Sequence, residues 1–136
     1  MTLEETLLEG TVMDVLIPIL TKKETDAAFL ETAVRGVQRV VVLLVVDTGV
    51  LPQGFGVAAD EIMQGRQVMD EVREAIGKKR KTCQDVLEWG STIQKINQVA
   101  QLKNVEKIIL KNDAGPQFRS LVNELRKGTP VEVEVL

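Results

Sequence analysis

Histidine is absent from this sequence, and cysteine occurs once, as Cys83, among 136 residues. Without histidine, zinc and haem sites lose their usual ligand, and acid–base catalysis loses its commonest base. A single cysteine forms no internal disulfide, so we expect a reducing cytoplasmic location and no metal site. Cys83 lies in a predicted strand, where a small buried thiol is much commoner than a reactive one, and we assign it no role.

Long apolar segments are also absent. The longest continuous apolar run, residues 40–46, has seven residues, whereas a membrane-spanning helix needs about 20. The first residues, Met-Thr-Leu-Glu-Glu, contain no basic region followed by an apolar stretch. We therefore expect neither a secretory signal nor a membrane partner.

An excess of charge of one sign is likewise missing, because 20 acidic and 17 basic residues are spread along the chain and give a net charge of −3. This balance gives no reason to expect nucleic acid as a partner. The basic cluster at residues 78–81 follows an amphipathic segment, where cations suit the end of a helix; an anionic partner is the alternative. The content of 44% hydrophobic and 27% charged residues predicts one globular domain over residues 1–136.

Apolar runs rich in valine, isoleucine and leucine recur along the chain, with segments of helical period between them. The runs are residues 12–20, 40–46, 105–110 and 131–136, and a weaker strand is predicted over residues 82–89. Nearly continuous runs are typical of strands covered by helices on both faces. The sequence therefore predicts an α/β, Rossmann-like, three-layer doubly wound sheet of five parallel strands in the order 3-2-1-4-5, with four helices.

Three of the predicted helices have recognisable starts. Capping-box patterns occur at residues 21–24 (Thr-Lys-Lys-Glu) and 91–94 (Ser-Thr-Ile-Gln), and the last helix begins at Gly115-Pro116. Residues 47–56, with three glycines and one proline, are predicted to form a long irregular loop. The glycine spacing in this loop matches no phosphate-binding motif.

Ligands of such a sheet bind where the strand order reverses, at the carboxyl ends of the strands. The candidate ligand-cleft residues are Thr21, Lys22, Asp47, Asn112, Asp113 and Gly115. Only Gly115 offers the glycine at a helix start that a phosphate site needs, and simple helix capping is the alternative explanation for both loops. Serine-nucleophile and nucleotide-loop motifs are absent and no acid–base pair stands out, so we assign no catalytic residue.

Several strings, in their order and spacing, resemble the universal stress protein family. Val15-Leu-Ile-Pro-Ile19 resembles the family's first strand, Ile-Leu-Val-Pro-Val-Asp. Residues 42–47 (Val-Leu-Leu-Val-Val-Asp) resemble its second strand, which often ends His-Val-Val-Asp. Residues 86–96 and 105–110 are similar to its glycine-terminated third strand, third helix and fourth strand. The resemblance covers nearly the whole chain and implies a dimer-forming α/β domain.

The sequence departs from the family at the positions that hold ATP. ATP-binding members carry an acidic residue after the Pro-Val of the first strand, where this sequence has Leu20. They also carry Gly-x-x-Gly, and later Gly-Ser or Gly-Thr, after the fourth strand. Counted from Gly115, Phe118 stands at the second glycine and Gly128-Thr129 at the last pair, where it predicts a helix end. We therefore expect no cofactor, and no binding of ATP in the family's manner.

Two functions of different classes remain open. The preferred hypothesis is a non-catalytic regulatory or interaction module of the universal stress type, with a small ligand in the cleft as an option. The alternative is a nucleotide-binding protein or weak ATPase that uses a non-standard cleft built from the candidate residues. A phosphoacceptor receiver domain fits poorly, because it needs an acidic pair after the first strand and a helix after the fifth.

The last strand is the predicted dimer contact. Residues 131–135 alternate as Val-Glu-Val-Glu-Val, which is typical of a half-covered edge strand. We expect a homodimer through Val131, Val133 and Val135. Antiparallel pairing places glutamates opposite glutamates, which is destabilising unless cations such as Arg126 and Lys127 reach them. In the alternative interpretation, the glutamates prevent edge pairing.

Overall fold

The structure is a computed structural model that describes residues 13–47 and 55–136, and the side chains of all of these except residues 55–58. The strands are β1 (Met13–Pro18), β2 (Val37–Val46), β3 (Thr82–Trp89), β4 (Lys107–Leu110) and β5 (Glu132–Val135). The helices are α1 (Ala27–Ala33), α2 (Phe55–Lys78), α3 (Thr92–Leu102) and α4 (Pro116–Gly128). Strands and helices therefore alternate along the described chain.

All five strands are parallel and form one sheet in the order β3-β2-β1-β4-β5, which confirms the predicted fold class. The central strand β1 pairs with β2 on one side and with β4 on the other. Its residues Val15, Leu16 and Ile17 have no solvent exposure, as expected of a strand covered on both faces. The strand order reverses between β1 and β4, so the crossovers on the two sides of β1 cover opposite faces of the sheet.

Two apolar layers hold the helices against the sheet. Helices α1 and α2 cover one face with Phe29, Leu30, Met69, Val72 and Ile76. Helices α3 and α4 cover the other face with Ile96, Val99, Ala100, Val122 and Leu125. Because strand side chains alternate between the faces, neighbouring β1 residues contribute to different layers: Ile17 to the first and Leu16 to the second.

The helix starts agree with the sequence at two places and differ at one. Helix α4 has Gly115 as its N-cap and Pro116 in its first turn, and it ends at Gly128, as predicted. Helix α3 follows Ser91, as predicted. The prediction that residues 21–24 begin a helix is wrong. Helix α1 begins at Ala27, where the side chain of Asp26 accepts a hydrogen bond from the N–H of Phe29 at 2.9 Å.

The predicted irregular stretch of residues 47–56 lies mostly outside the described residues, and α2 begins inside it, at Phe55. None of the described helices is long and apolar enough to cross a membrane. The weaker strand predicted over residues 82–89 is confirmed as β3, and it forms one edge of the sheet.

Replacement of Leu16 by alanine tests the central strand. Leu16 is fully buried against α3 and α4, so Leu16→Ala should lower the free energy of unfolding by about 3 kcal/mol. The matched control is Leu102→Ala, because Leu102 is 77% exposed at the end of α3. Urea unfolding followed by circular dichroism measures both variants. Equal stability of the two would contradict the burial described here.

Candidate functional site

A cleft lies at the carboxyl ends of the strands, between the starts of α3 and α4. Its volume is about 680 Å³. It is lined by residues from the ends of β1, β2 and β4 and from the two helix starts: Leu20, Thr21, Asp47, Ser91, Thr92, Ile93, Asp113, Gly115, Gln117, Phe118 and Leu121. This is the place where the strand order reverses, and so the place predicted for a ligand.

Asp47, the residue after β2, binds the N-terminus of α3. Its Oδ2 accepts hydrogen bonds from the backbone N–H of Thr92 at 3.0 Å and from the Thr92 hydroxyl at 3.1 Å. Ser91 occupies the N-cap position, but its side chain makes no capping hydrogen bond. The Asp47 carboxylate therefore takes the role that the sequence pattern gave to Ser91. A negative charge is favoured there because the N-terminus of a helix carries partial positive charge.

The loop between β1 and α1 folds around the side chain of Glu24, which is fully buried. Its Oε2 accepts hydrogen bonds from the N–H groups of Leu20 and Thr21, both at 2.9 Å, and from the Thr21 hydroxyl at 3.0 Å. Its Oε1 has no hydrogen-bond partner among the described residues. Lys22, at the tip of this turn, has φ of 65°, in the left-handed region. The backbone donors that follow β1 are thus occupied by an acid of the chain itself.

The charged side chains that line the cleft are acidic. Asp47 and Asp113 line it, and no lysine or arginine does so among the described residues. The Nζ of Lys23 lies 3.9 Å from Oδ1 of Asp113, but the Lys23 side chain is 71% exposed, and such a pair contributes little. Gly115 places no side chain on the start of α4. The first turn of α4 is therefore the part of the cleft best suited to a polar ligand.

A smaller pocket of about 200 Å³ adjoins the cleft, between the ends of β1 and β2 and helix α2. Asp47 and Thr92 line both cavities. Lys22 lines the smaller one, where its Nζ pairs with Oε2 of Glu61 and contacts Oε1 of Gln64 at 3.2 Å. The ammonium group of Lys22 is therefore bound to side chains of α2 and does not line the cleft.

The structure brings four of the six candidate residues to one cleft: Thr21, Asp47, Asp113 and Gly115. Lys22 lines the smaller pocket instead. Asn112 lines neither cavity; its N–H extends the sheet by donating to the carbonyl of Leu136 at 2.8 Å. The physical reason is that residues along a short loop point in different directions, which chain position alone does not reveal.

The sequence analysis did not predict that the start of α3 lines the cleft, where it contributes Ser91, Thr92 and Ile93. A signal was available, because every helix that follows a parallel strand begins at the carboxyl edge of the sheet. It also missed Gln117 and Leu121 on the facing side of α4. The role of Glu24 had no such signal, because its pattern resembled a helix start.

The cation that reaches the glutamates of β5 is Lys107 of β4. Its Nζ lies 3.0 Å from Oε1 of Glu134 and 3.7 Å from Oε2 of Glu132. The hydrogen bond to Glu134, with the nearby charge of both glutamates, raises the pKa of Lys107. Of the two cations suggested by the sequence, Arg126 instead donates to a backbone carbonyl of β5, that of Val133. The glutamates are therefore partly neutralised within each subunit.

The single cysteine, Cys83, does not line the cleft. Cys83 is half-buried in β3, and burial, with the nearby Asp85 charge, raises the pKa of its thiol to about 11. The thiol is therefore protonated at neutral pH. Among the described residues, no group of three or more acidic, histidine or cysteine side chains is placed to hold a metal ion.

The replacement Glu24→Ala tests the buried carboxylate. It removes the acceptor of three hydrogen bonds in the loop after β1, so the free energy of unfolding should fall by about 2 kcal/mol or more. Glu74→Ala is the matched control, because Glu74 is an exposed acid on α2 whose contact is a surface pair with Lys78. Thermal and urea unfolding measure both. A Glu24→Ala protein as stable as Glu74→Ala would contradict the described loop.

No family model and no curated protein matches this sequence. Solved structures do match it. The hypothetical protein MJ0577 shares 15% identity over 93% of this chain and 96% of its own, with a TM-score of 0.70. A universal stress protein family member from Burkholderia pseudomallei shares 17% identity over 91% of this chain and 95% of its own, with a TM-score of 0.67.

A universal stress protein from Archaeoglobus fulgidus, solved in complex with dAMP, shares 17% identity over 90% of this chain and 96% of its own. Its TM-score is 0.62. These identities are low, but the matches span nearly the full length of both chains. The chain therefore has the fold of the universal stress proteins.

Proposed function

We propose that the protein is a non-catalytic regulatory or interaction module of the universal stress protein family, which acts as a cytoplasmic homodimer and does not bind ATP in the family's manner. One observation carries the proposal. At the edge where a phosphate would bind, two carboxylates of the chain, Asp47 and Glu24, already hold the backbone donors of Thr92, Leu20 and Thr21. A phosphate would have to displace a carboxylate or bind beside it.

The start of α4 adds a steric argument against ATP. Five residues, 111–115, separate β4 from α4, which leaves little room for a long phosphate loop. Phe118 lies in the first turn of α4 and lines the cleft. A phenylalanine side chain stands where the family motif has a glycine, whose missing side chain lets backbone approach phosphate.

The proposal of a non-catalytic role is supported by the contacts of two threonine hydroxyls that line the cleft. The Thr21 hydroxyl donates to Glu24, and the Thr92 hydroxyl donates to Asp47. Both carboxylates also accept hydrogen bonds from the backbone. The N–H groups of Leu20 and Thr21 donate to Glu24, and the N–H of Thr92 donates to Asp47. The hydroxyls of Thr21 and Thr92 are therefore already engaged with carboxylates of the chain itself.

Calorimetric titration with Mg-ATP tests the nucleotide part of the proposal. Wild-type protein should show no site of micromolar or tighter affinity, since the cleft presents carboxylates and no cation among its described lining residues. The companion variant is Asp113→Lys, which changes a half-buried residue of the cleft lining from an acid to a cation. If charge is what excludes the nucleotide, this variant should bind Mg-ATP more tightly than wild type. A micromolar site in wild type would contradict the proposal.

A second candidate function is the binding of a nucleoside monophosphate. The similar structure solved with dAMP favours it, as does the uncapped start of α4 beside the cleft. A monophosphate carries less negative charge than a triphosphate and places a single phosphate at that helix start. Titration with AMP in the same experiment separates this function from ATP binding.

The dimer is proposed at the free edge of β5. Val133 of this strand is buried against α4, whereas Val131 and Val135 are half-buried and leave apolar surface for a partner. The ion pairs of Lys107 reduce the repulsion expected between glutamates of paired strands. A backbone ladder between two β5 strands would then join two sheets into one.

Sedimentation of the Val133→Pro variant tests this dimer. Wild type should be a dimer at tens of micromolar, and the proline should give monomers, because it removes a backbone donor from the edge of β5. Asp85→Pro, in the opposite edge strand β3, is the control and should remain dimeric. Added salt should favour association slightly, by screening the net negative charge of the glutamates. A monomeric wild type would contradict the proposal and support the interpretation that the glutamates prevent pairing.

A further inference from the structure

The hydrogen bonds between β5 and β4 show which backbone groups of β5 face outward. The N–H of Leu136 donates to the carbonyl of Leu110 at 2.9 Å, and the N–H of Asn112 donates to the carbonyl of Leu136 at 2.8 Å. In a parallel pair, alternate residues point both backbone groups at the same neighbour. Leu136 and the glutamates of β5 therefore face β4. The backbone groups of the open edge belong to Val133 and Val135 of β5, and the same alternation extends to Val131, just before the strand.

Two of these outward groups already have partners from the same chain. The Nη2 of Arg126 donates to the carbonyl of Val133 at 3.1 Å. The N–H of Val131 donates to the hydroxyl of Thr129 at 3.2 Å. At the opposite edge of the sheet, no described side chain makes a hydrogen bond to the backbone of β3 within the described part of the chain. Among the described residues, side chains therefore bind outward-facing backbone groups at the β5 edge and not at the β3 edge.

The hydrogen bond from Arg126 to the carbonyl of Val133 is incompatible with antiparallel pairing of two β5 strands in any register that keeps the valines on one face. An antiparallel partner that keeps the valines on one face must oppose each outward-facing residue with another outward-facing residue. Val133 is the middle one of these, and it would exchange both its N–H and its carbonyl with the partner. Its carbonyl is the group that Arg126 holds. The guanidinium must therefore leave, or share, this oxygen when a second strand arrives.

Arg126 is also well placed to move. It lies in the last turn of α4, and its side chain is exposed. No ion pair joins it to a described acid, and the glutamates of β5 pair with Lys107. The release of Arg126 would break one hydrogen bond per subunit and leave the core contacts of α4 intact, since those come from Val122 and Leu125.

We propose that Arg126 guards the β5 edge, so that a second copy of this chain pairs with β5 only after the Arg126 guanidinium leaves the carbonyl of Val133. This inference rests on the proposed function, because it concerns the same dimer edge. The hydrogen bond of Arg126 lowers the affinity of the dimer and keeps the free monomer from pairing with other strand edges. Thr129 contributes to the same effect through the N–H of Val131.

The test measures the dimer dissociation constant of Arg126→Ala by sedimentation equilibrium. The variant should dimerise roughly tenfold more tightly than wild type, because two hydrogen bonds per dimer no longer have to be broken. Lys127→Ala is the matched control. It removes the same charge from the adjacent exposed position, and no described contact joins Lys127 to β5; its dissociation constant should equal that of wild type. Thr129→Val should tighten the dimer less than Arg126→Ala.

The outcomes separate this inference from the dimer itself. A wild-type dimer that Val133→Pro abolishes, with Arg126→Ala unchanged or weakened, would overturn the guard and leave the dimer standing. A monomeric wild type with a dimeric Arg126→Ala would support the guard and overturn the wild-type dimer. Monomers throughout, or a dimer that survives Val133→Pro, would overturn both. Equal tightening in Lys127→Ala would show a general charge effect and overturn the guard.

Discussion

The parallel alignment of the strands is the constraint on which the remaining structure depends. Each strand that is followed by a helix ends at the same edge of the sheet, so the helices begin there as well. Strand ends and helix starts both present unpaired N–H groups, and this edge therefore concentrates backbone donors. What occupies these donors decides whether the edge binds phosphate, another ligand or nothing.

In this protein, acidic side chains occupy the donors after β1 and at the start of α3, whereas the start of α4 has no side-chain cap. Asp47 reaches from the end of β2 to the start of α3, and Glu24 reaches back into the loop after β1. Glu24 is three to four residues from the donors that it holds, whereas Asp47 is 45 residues from Thr92 along the chain. The two carboxylates that hold the backbone at this edge are also the basis of the proposal that ATP is not bound in the family's manner. Burial of a glutamate is costly unless its carboxylate is hydrogen-bonded, and Glu24 accepts three hydrogen bonds.

The sequence was sufficient to predict the sheet and its order, because apolar runs such as residues 40–46 and helix starts such as Gly115-Pro116 act locally. The sequence alone did not allow the conformation of the loop around Glu24 to be predicted. A capping box and a turn that encloses a carboxylate use the same residue types at the same spacing, and only the position of Asp26 three residues before Phe29 separates them.

The contents of the cleft were predictable in part. Thr21, Asp47, Asp113 and Gly115 lie at strand ends and could be located from the strand order alone. The pairing of Lys107 with Glu132 and Glu134 could not, because it depends on the register between β4 and β5, which only the folded sheet defines.

The central claim, that acids of the chain occupy the donors after β1 and at the start of α3, is tested most directly by two-dimensional amide NMR of the wild-type protein. The amide signals of Leu20, Thr21 and Thr92 should lie downfield, as hydrogen bonds to carboxylates require, and should not move when phosphate or Mg-ATP is added. Saturable shifts of these three amides on addition of either anion would contradict the claim, because they would show that the donors are open to a ligand.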